Sequence, residues 1–191
     1  NTAMGHAALD ANTTADGNTA FGSATLTDNT TGAGNTAVGK DALKANTTAS
    51  DNVAVGLNAL LTVTTAANNT AVGTSALKLN TGEANTAVGR GALLNNSSGV
   101  ENTAVGKDAL NDNTTGDNNV AVGRQALAVN TTADDNVAVG DNALQANTTG
   151  SQNTGLGTRA MLYTTTGSDN VSVGHNSMET NTTGAENVAV G

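Results

Sequence analysis

Few residues of this 191-residue chain are of kinds that do chemistry, and those few are regularly placed. There are two histidines, His6 and His175, and no cysteine, so a thiol nucleophile and a disulfide framework are both excluded. Aspartates gather at Asp16, Asp51, Asp117, Asp134, Asp135 and Asp169, where an oxygen-rich loop could hold calcium. The glycine-rich aspartate nonapeptide of calcium-binding rolls is missing, which favours a solvated acidic edge. Asn-Thr-Thr or Asn-Ser-Ser recurs at Asn12, Asn29, Asn46, Asn96, Asn113, Asn130, Asn147 and Asn181, and each of these is an N-glycosylation acceptor by sequence. Thr pairs such as Thr13 with Thr14 and Thr30 with Thr31 would stack into hydroxyl columns of a kind that binds ice. Adjacent threonines on a strand point to opposite sides, which weakens that reading. Val38–Leu43 (VGKDAL) carries a glycine and a lysine without phosphate-loop spacing.

The regularity comes from an internal repeat. The glycine of Asn-Thr-Ala-Val-Gly falls at Gly5, Gly22, Gly39, Gly56, Gly73, Gly89, Gly106, Gly123, Gly140, Gly157, Gly174 and Gly191. Ten of the eleven intervals are seventeen residues; the one from Gly73 to Gly89 is sixteen, because Asn-Thr-Gly replaces Asn-Thr-Thr-Gly at Asn80. Residues 1–191 therefore read as one repetitive domain of eleven units plus the start of a twelfth. Such a chain is expected to be an excerpt of a longer fibre protein, since solenoids need atypical capping units.

Slots are numbered from the Asn that opens each unit. Slot 1 is always Asn, slot 2 Thr or Val, slot 3 Ala apart from Gly155 and Ser172, slot 4 apolar and slot 5 Gly. Slot 9 is Leu or Met throughout, and slot 12 is Asn except at Val63 and Thr164. Charged residues keep to slots 6, 7, 10, 11, 16 and 17, which must therefore face water. No carboxylate pair or Ser/His/Asp set departs from the pattern, and the two histidines occupy the same slot ten units apart, so the reading is not an enzyme and needs no cofactor or metal.

Thr/Val, Ala, Val at slots 2 to 4 alternate with period two and read as a strand. A seventeen-residue unit is too short for two helices and two turns, and too small to bury a core alone. Stacking resolves both difficulties: the fold expected is an all-β parallel β-solenoid, or β-roll, with one seventeen-residue coil per repeat, strands about 4.8 Å apart and a rod roughly 50 Å long. Slots 4 and 9 are expected to form the core: Val38, Leu43, Val55, Leu60, Val72, Leu77, Val88, Leu93, Val105, Leu110, Val122, Leu127, Val139 and Leu144. Slot 3 then faces away, and its small residues, Ala37, Ala54, Ala71, Ala87, Ala104, Ala121 and Ala138, suggest close contact between chains. The slot 1 asparagines are expected to form an amide ladder along the axis.

Asn-Thr-Ala-Val-Gly and Asn-Val-Ala-Val-Gly followed by x-x-Ala-Leu resemble the head repeats of trimeric autotransporter adhesins. With Asn-Thr-Thr-Gly they are also similar to repeats of bacterial surface proteins and phage tail-fibre-like proteins. The resemblance covers the whole chain. It implies a left-handed roll, three chains packed side by side or a filament built end to end, an extracellular place on a cell or virion surface, and a host receptor or glycan as partner. The unit here is longer than those head repeats, with the extra length at Asn-Thr-Thr-Gly.

The formal net charge of -9 argues against nucleic acid as a partner. No apolar run approaches membrane-spanning length, so no insertion into a membrane is expected from this segment. The function expected is a non-catalytic structural or adhesive fibre, with a ligand-binding solenoid for ice or glycan, using Thr and Asn columns, as the alternative.

Overall fold

The computed structural model describes residues 1–191. Twelve three-residue strands, β1 (Thr2–Met4) to β12 (Val188–Val190), occupy slots 2 to 4 of successive units. They form one parallel sheet in chain order. Register advances by one unit at each step, so that Thr36, Ala37 and Val38 face Val53, Ala54 and Val55. The sixteen-residue unit does not shift it, since Val72 still faces Val88. The protein is a β-solenoid of stacked seventeen-residue coils, as its repeat predicts.

Strands carry only 22 of the 122 backbone hydrogen bonds. Most of the rest join one coil to the next around the whole circumference. Between the third and fourth coils, the N–H groups of Leu43, Ala45 and Thr47 donate forward to the carbonyls of Ala59, Leu61 and Thr64. Those of Gly56, Asn58 and Asn68 donate back to Val38, Lys40 and Ser50. The Ala-Leu segment, which could have made a helical turn, instead alternates into left-handed backbone: Asn58 has φ 58 and Leu60 φ 49, and slot 17 repeats this at Asn68 with φ 62. A left-handed Leu costs about 1–2 kcal/mol, which full burial of its side chain offsets. Slot 5 admits only glycine. Gly56 has φ 138, and a Cβ there would lie 2.5 Å from the Gly73 carbonyl oxygen.

The interior corrects the sequence-based orientation of the strands. Leu43, Leu60, Leu77, Leu93, Leu110, Leu127 and Leu144 are buried as expected. The slot 4 residues Val38, Val55, Val72, Val88, Val105, Val122 and Val139 are not core; they are half-buried or exposed on the outer face of the sheet. The slot 3 residues Ala37, Ala54, Ala71, Ala87, Ala104, Ala121 and Ala138 do not contact a neighbouring chain; all seven are fully buried inside the coil with the slot 8 alanines and the leucines. The reason is width. A Cβ built on Gly155 would already sit 3.3 Å from Leu144 Cγ, so slot 3 has room for a methyl and little more. Where both small slots change in one coil, the hydroxyl of Ser172 donates to the Ser177 carbonyl at 2.8 Å and remains satisfied.

This orientation can be tested by a pair of substitutions on one strand. Ala104→Val should lower the denaturation midpoint, at a cost of about 1–3 kcal/mol from overpacking. Val105→Thr should change single-chain stability by about 0.5 kcal/mol or less. The opposite ranking in urea unfolding followed by circular dichroism would return the valines to the core.

Candidate functional site

The residues best suited to catalysis are not brought together. His6 and His175 are both exposed and lie ten coils apart. Most amides of the VGKDAL segment are spent in the stack or its turns, Gly39 N–H on the Phe21 carbonyl, Asp41 N–H on that of Ser23, Ala42 N–H on that of Gly39 and Leu43 N–H on that of Ala59, so the segment offers no row of free amides to cradle a phosphate. At the acidic edge, Asp117 Oδ1 accepts the Val100 amide and Asp134 Oδ1 accepts the Asp117 amide, both at 2.8 Å. These carboxylates act as rungs between coils. No group of three or more His, Asp or Glu side chains is placed to hold a metal ion.

The glycosylation acceptors are corrected by burial. Asn29, Asn46, Asn96, Asn113, Asn130 and Asn147 are fully buried, and the folded coil has no room for a sugar on them. Asn12 and Asn181, in the outermost full coils, make the same inward bond, their Nδ2 donating to the carbonyls of Ala15 and Gly184 at 3.1 Å. Slot 12 is thus a second amide ladder beside the one expected at slot 1. Asn113 Nδ2 donates to Asn96 Oδ1 at 2.7 Å and to the Gly116 carbonyl at 2.9 Å. Asn102 of slot 1 reaches the same Gly116 carbonyl at 2.8 Å. Its own Oδ1 receives the backbone N–H of Asn119 in the next coil at 2.9 Å. The slot 13 hydroxyls are also engaged, for example Thr114 Oγ1 on the Thr131 carbonyl at 2.8 Å.

The slot 12 ladder breaks twice. Val63 supplies no donor to Asn46 Oδ1, and Thr164 supplies none that reaches Asn147 Oδ1. Both oxygens are left buried without a partner, as is Thr164 Oγ1. The first break adjoins the sixteen-residue coil, which has no slot 14. Here the backbone amides of Val63, Thr64 and Thr65 lack the bonds that Asn46, Thr47 and Thr48 make one coil earlier.

The outer face of the sheet is a uniform surface that runs the length of the rod. Thr or Val at slot 2 and an apolar residue at slot 4 project from every strand, with no charge in either column. Val72, Val88, Val139 and Leu156 are 36–38% exposed along it. One border is the slot 6 column, with Lys40, Arg90, Lys107 and Arg124 and a single acid, Asp141; the other is the slot 17 column, with Asp51, Glu101, Asp135, Asp169 and Glu186. Sequence reasoning missed this face because it placed the valines inside. The available signal was slot 3, a column that never exceeds a methyl or hydroxyl, as a narrow interior requires.

Comparison with family models, curated proteins and solved structures finds no match to this chain. The class defined by the coordinates is the parallel β-solenoid.

Two measurements probe the ladder. Thr164→Asn should stabilise the rod by about 1–3 kcal/mol, since it returns a donor to Asn147 Oδ1 and removes an unpaired hydroxyl; an unchanged or lower melting temperature would contradict the ladder. In native-state hydrogen exchange, the Thr64 amide should exchange at least about tenfold faster than those of Thr47 and Thr114.

Proposed function

We propose that the protein is a non-catalytic rod of an extracellular fibre, on a cell or virion surface, in which copies lie side by side through the outer sheet face. The observation carrying this reading is the uncharged Thr/Val ladder. It runs the length of the stack, roughly 50 Å, and is about 10 Å wide for two columns of side chains. At about 500 Å² the stripe is at the upper end of what single chains leave uncovered and short of the roughly 800 Å² each partner gives a stable interface, so the flanking charged columns must complete the contact.

The charged borders support a parallel, in-register arrangement. Lys40 and Asp51, Arg90 and Glu101, and Arg124 and Asp135 flank the face on opposite sides within the same coils. In a closed ring of parallel chains, the basic border of one chain meets the acidic border of the next, a heterologous contact that closes. The resemblance to trimeric adhesin heads makes three the expected number. Slots 7, 10 and 11 vary from coil to coil and would face a receptor or glycan.

A second reading, ice binding, gains one observation. The flat array lies at slots 2 and 4 and not on the Thr pairs, and it mixes threonine hydroxyls with methyls at a fixed repeat. Light scattering after size exclusion should show a trimer for the wild type and a monomer for Val88→Lys/Val105→Lys, with circular dichroism unchanged. A wild-type monomer that causes thermal hysteresis would replace the fibre reading with the ice-binding one.

A further inference from the structure

Coils 4 to 6 hold one break of the slot 12 ladder and the one sixteen-residue unit, and the same coils carry an unusual surface. On slots 6, 7, 10 and 11, other coils show polar or small residues, except Val129 in coil 8 and Leu162 and Tyr163 in coil 10. Coils 4 to 6 show Leu57, Leu61, Leu79 and Leu94. Leu57 and Leu79 are 44% and 43% exposed. Leu61, Lys78 and Leu94 are successive members of the slot 10 column, tied at one coil spacing by the Thr62 amide on the Lys78 carbonyl and the Leu79 amide on the Leu94 carbonyl. Leu79 stands beside them in slot 11. Individual surface leucines mean little. Four within three coils, in slots that are otherwise mostly polar, form a patch.

The charge on this patch sets it apart. The chain has seven Lys and Arg residues. Lys40, Lys44, Lys107, Arg124 and Arg159 all pair with a carboxylate. The two without such a pair are Lys78 and Arg90, and both lie in the leucine patch. No carboxylate occupies slots 6, 7, 10 or 11 of coils 4 to 6. The nearest acids on those columns are engaged: Asp41 bridges Lys40 and Lys44, Asp108 pairs with Lys107 at 3.2 Å, and Asp112 accepts Asn95 Nδ2 at 3.0 Å. Gly91, the one glycine in slot 7, opens a depression of about 190 Å³ against Arg90 and Leu94, with Thr74, Ser75 and Asp108 on its rim.

We infer that coils 4 to 6 form a docking surface for an acidic, apolar peptide segment of another protein. A leucine or aromatic side chain packs on Leu61, Leu79 and Leu94, and neighbouring carboxylates pair with Lys78 and Arg90. The Arg90 guanidinium suits bidentate carboxylate pairing and the Lys78 ammonium adds a point charge, and on a chain of net charge -9 these two cations are the ones left without a carboxylate. That same negative charge disfavours anionic membranes and nucleic acid as the occupant. The surface lies beside the sheet face and shares Arg90 with its border; Lys78, Leu79 and Leu94 stand off that border, so substitutions there leave the fibre contact intact.

The test is selection from a random peptide library displayed on phage, panned on the immobilised full chain, with enriched peptides resynthesised bearing fluorescein. Enriched peptides are expected to place Asp or Glu beside Leu, Phe or Trp. Their affinity, read by anisotropy, should fall at least about tenfold, or 1.4 kcal/mol, in Lys78→Glu. A similar fall is expected in Leu79→Ser/Leu94→Ser, with both variants keeping the wild-type circular dichroism. Four outcomes would overturn the inference: no enrichment, a consensus lacking carboxylates, peptides bound equally by both variants, or a change in the sedimentation of the protein alone on charge reversal. The last would mark the patch as a contact between copies. Peptide binding lost with assembly intact, or the converse in Val88→Lys/Val105→Lys, keeps this surface distinct from the fibre face.

Discussion

A coil of this protein is held chiefly by its two neighbours. Its only regular internal bonds are the short turn closures from slot 8 to slot 5 and slot 12 to slot 9, and the asparagine amides that reach the slot 15 carbonyl. Everything else runs along the axis. That constraint makes like residues lie over like, and it makes each slot a column whose chemistry is judged in bulk. A charge in one interior slot would be a buried charge, so charges are confined to the outer columns, and no Asp, Glu, Lys or Arg is buried. A side chain at slot 5 would collide with the coil ahead, so glycine occupies every copy.

The stack, its period and the buried leucines are legible in the sequence because they depend on spacing alone. Which way the strand faces is not. Thr-Ala-Val alternates equally well with valine or alanine inward, and hydrophobicity alone favours valine. Interior width decides it, and width is a property of the closed coil: Leu60 and its equivalents fill the space, and Ala54 takes the remainder. The outer valines satisfy a different preference, that of β-branched residues for an exposed strand surface.

The asparagines show a second limit. A sequon is a pattern of three residues, and at Asn113 or Asn130 the pattern is present while the nitrogen is turned into the rod. The sequence does hold a clue in Val63 and Thr164, since both are compatible with burial, but it reads as tolerance of change at a surface turn. Only the coordinates show that each exception strands an oxygen on the asparagine before it.

Both amide ladders point the same way. At slot 12, Asn113 gives its N–H to Asn96 and its oxygen receives from Asn130; at slot 1, the oxygen of Asn102 receives from Asn119. The ladder dipoles therefore add along the rod and do not cancel, and in both ladders a cross-section leaves unmet asparagine oxygens on one cut surface and the N–H groups that matched them on the other. A coil laid upside down would set oxygen against oxygen in two places at once. The rod is thus a one-way thread, and two lengths of it can join only head to tail.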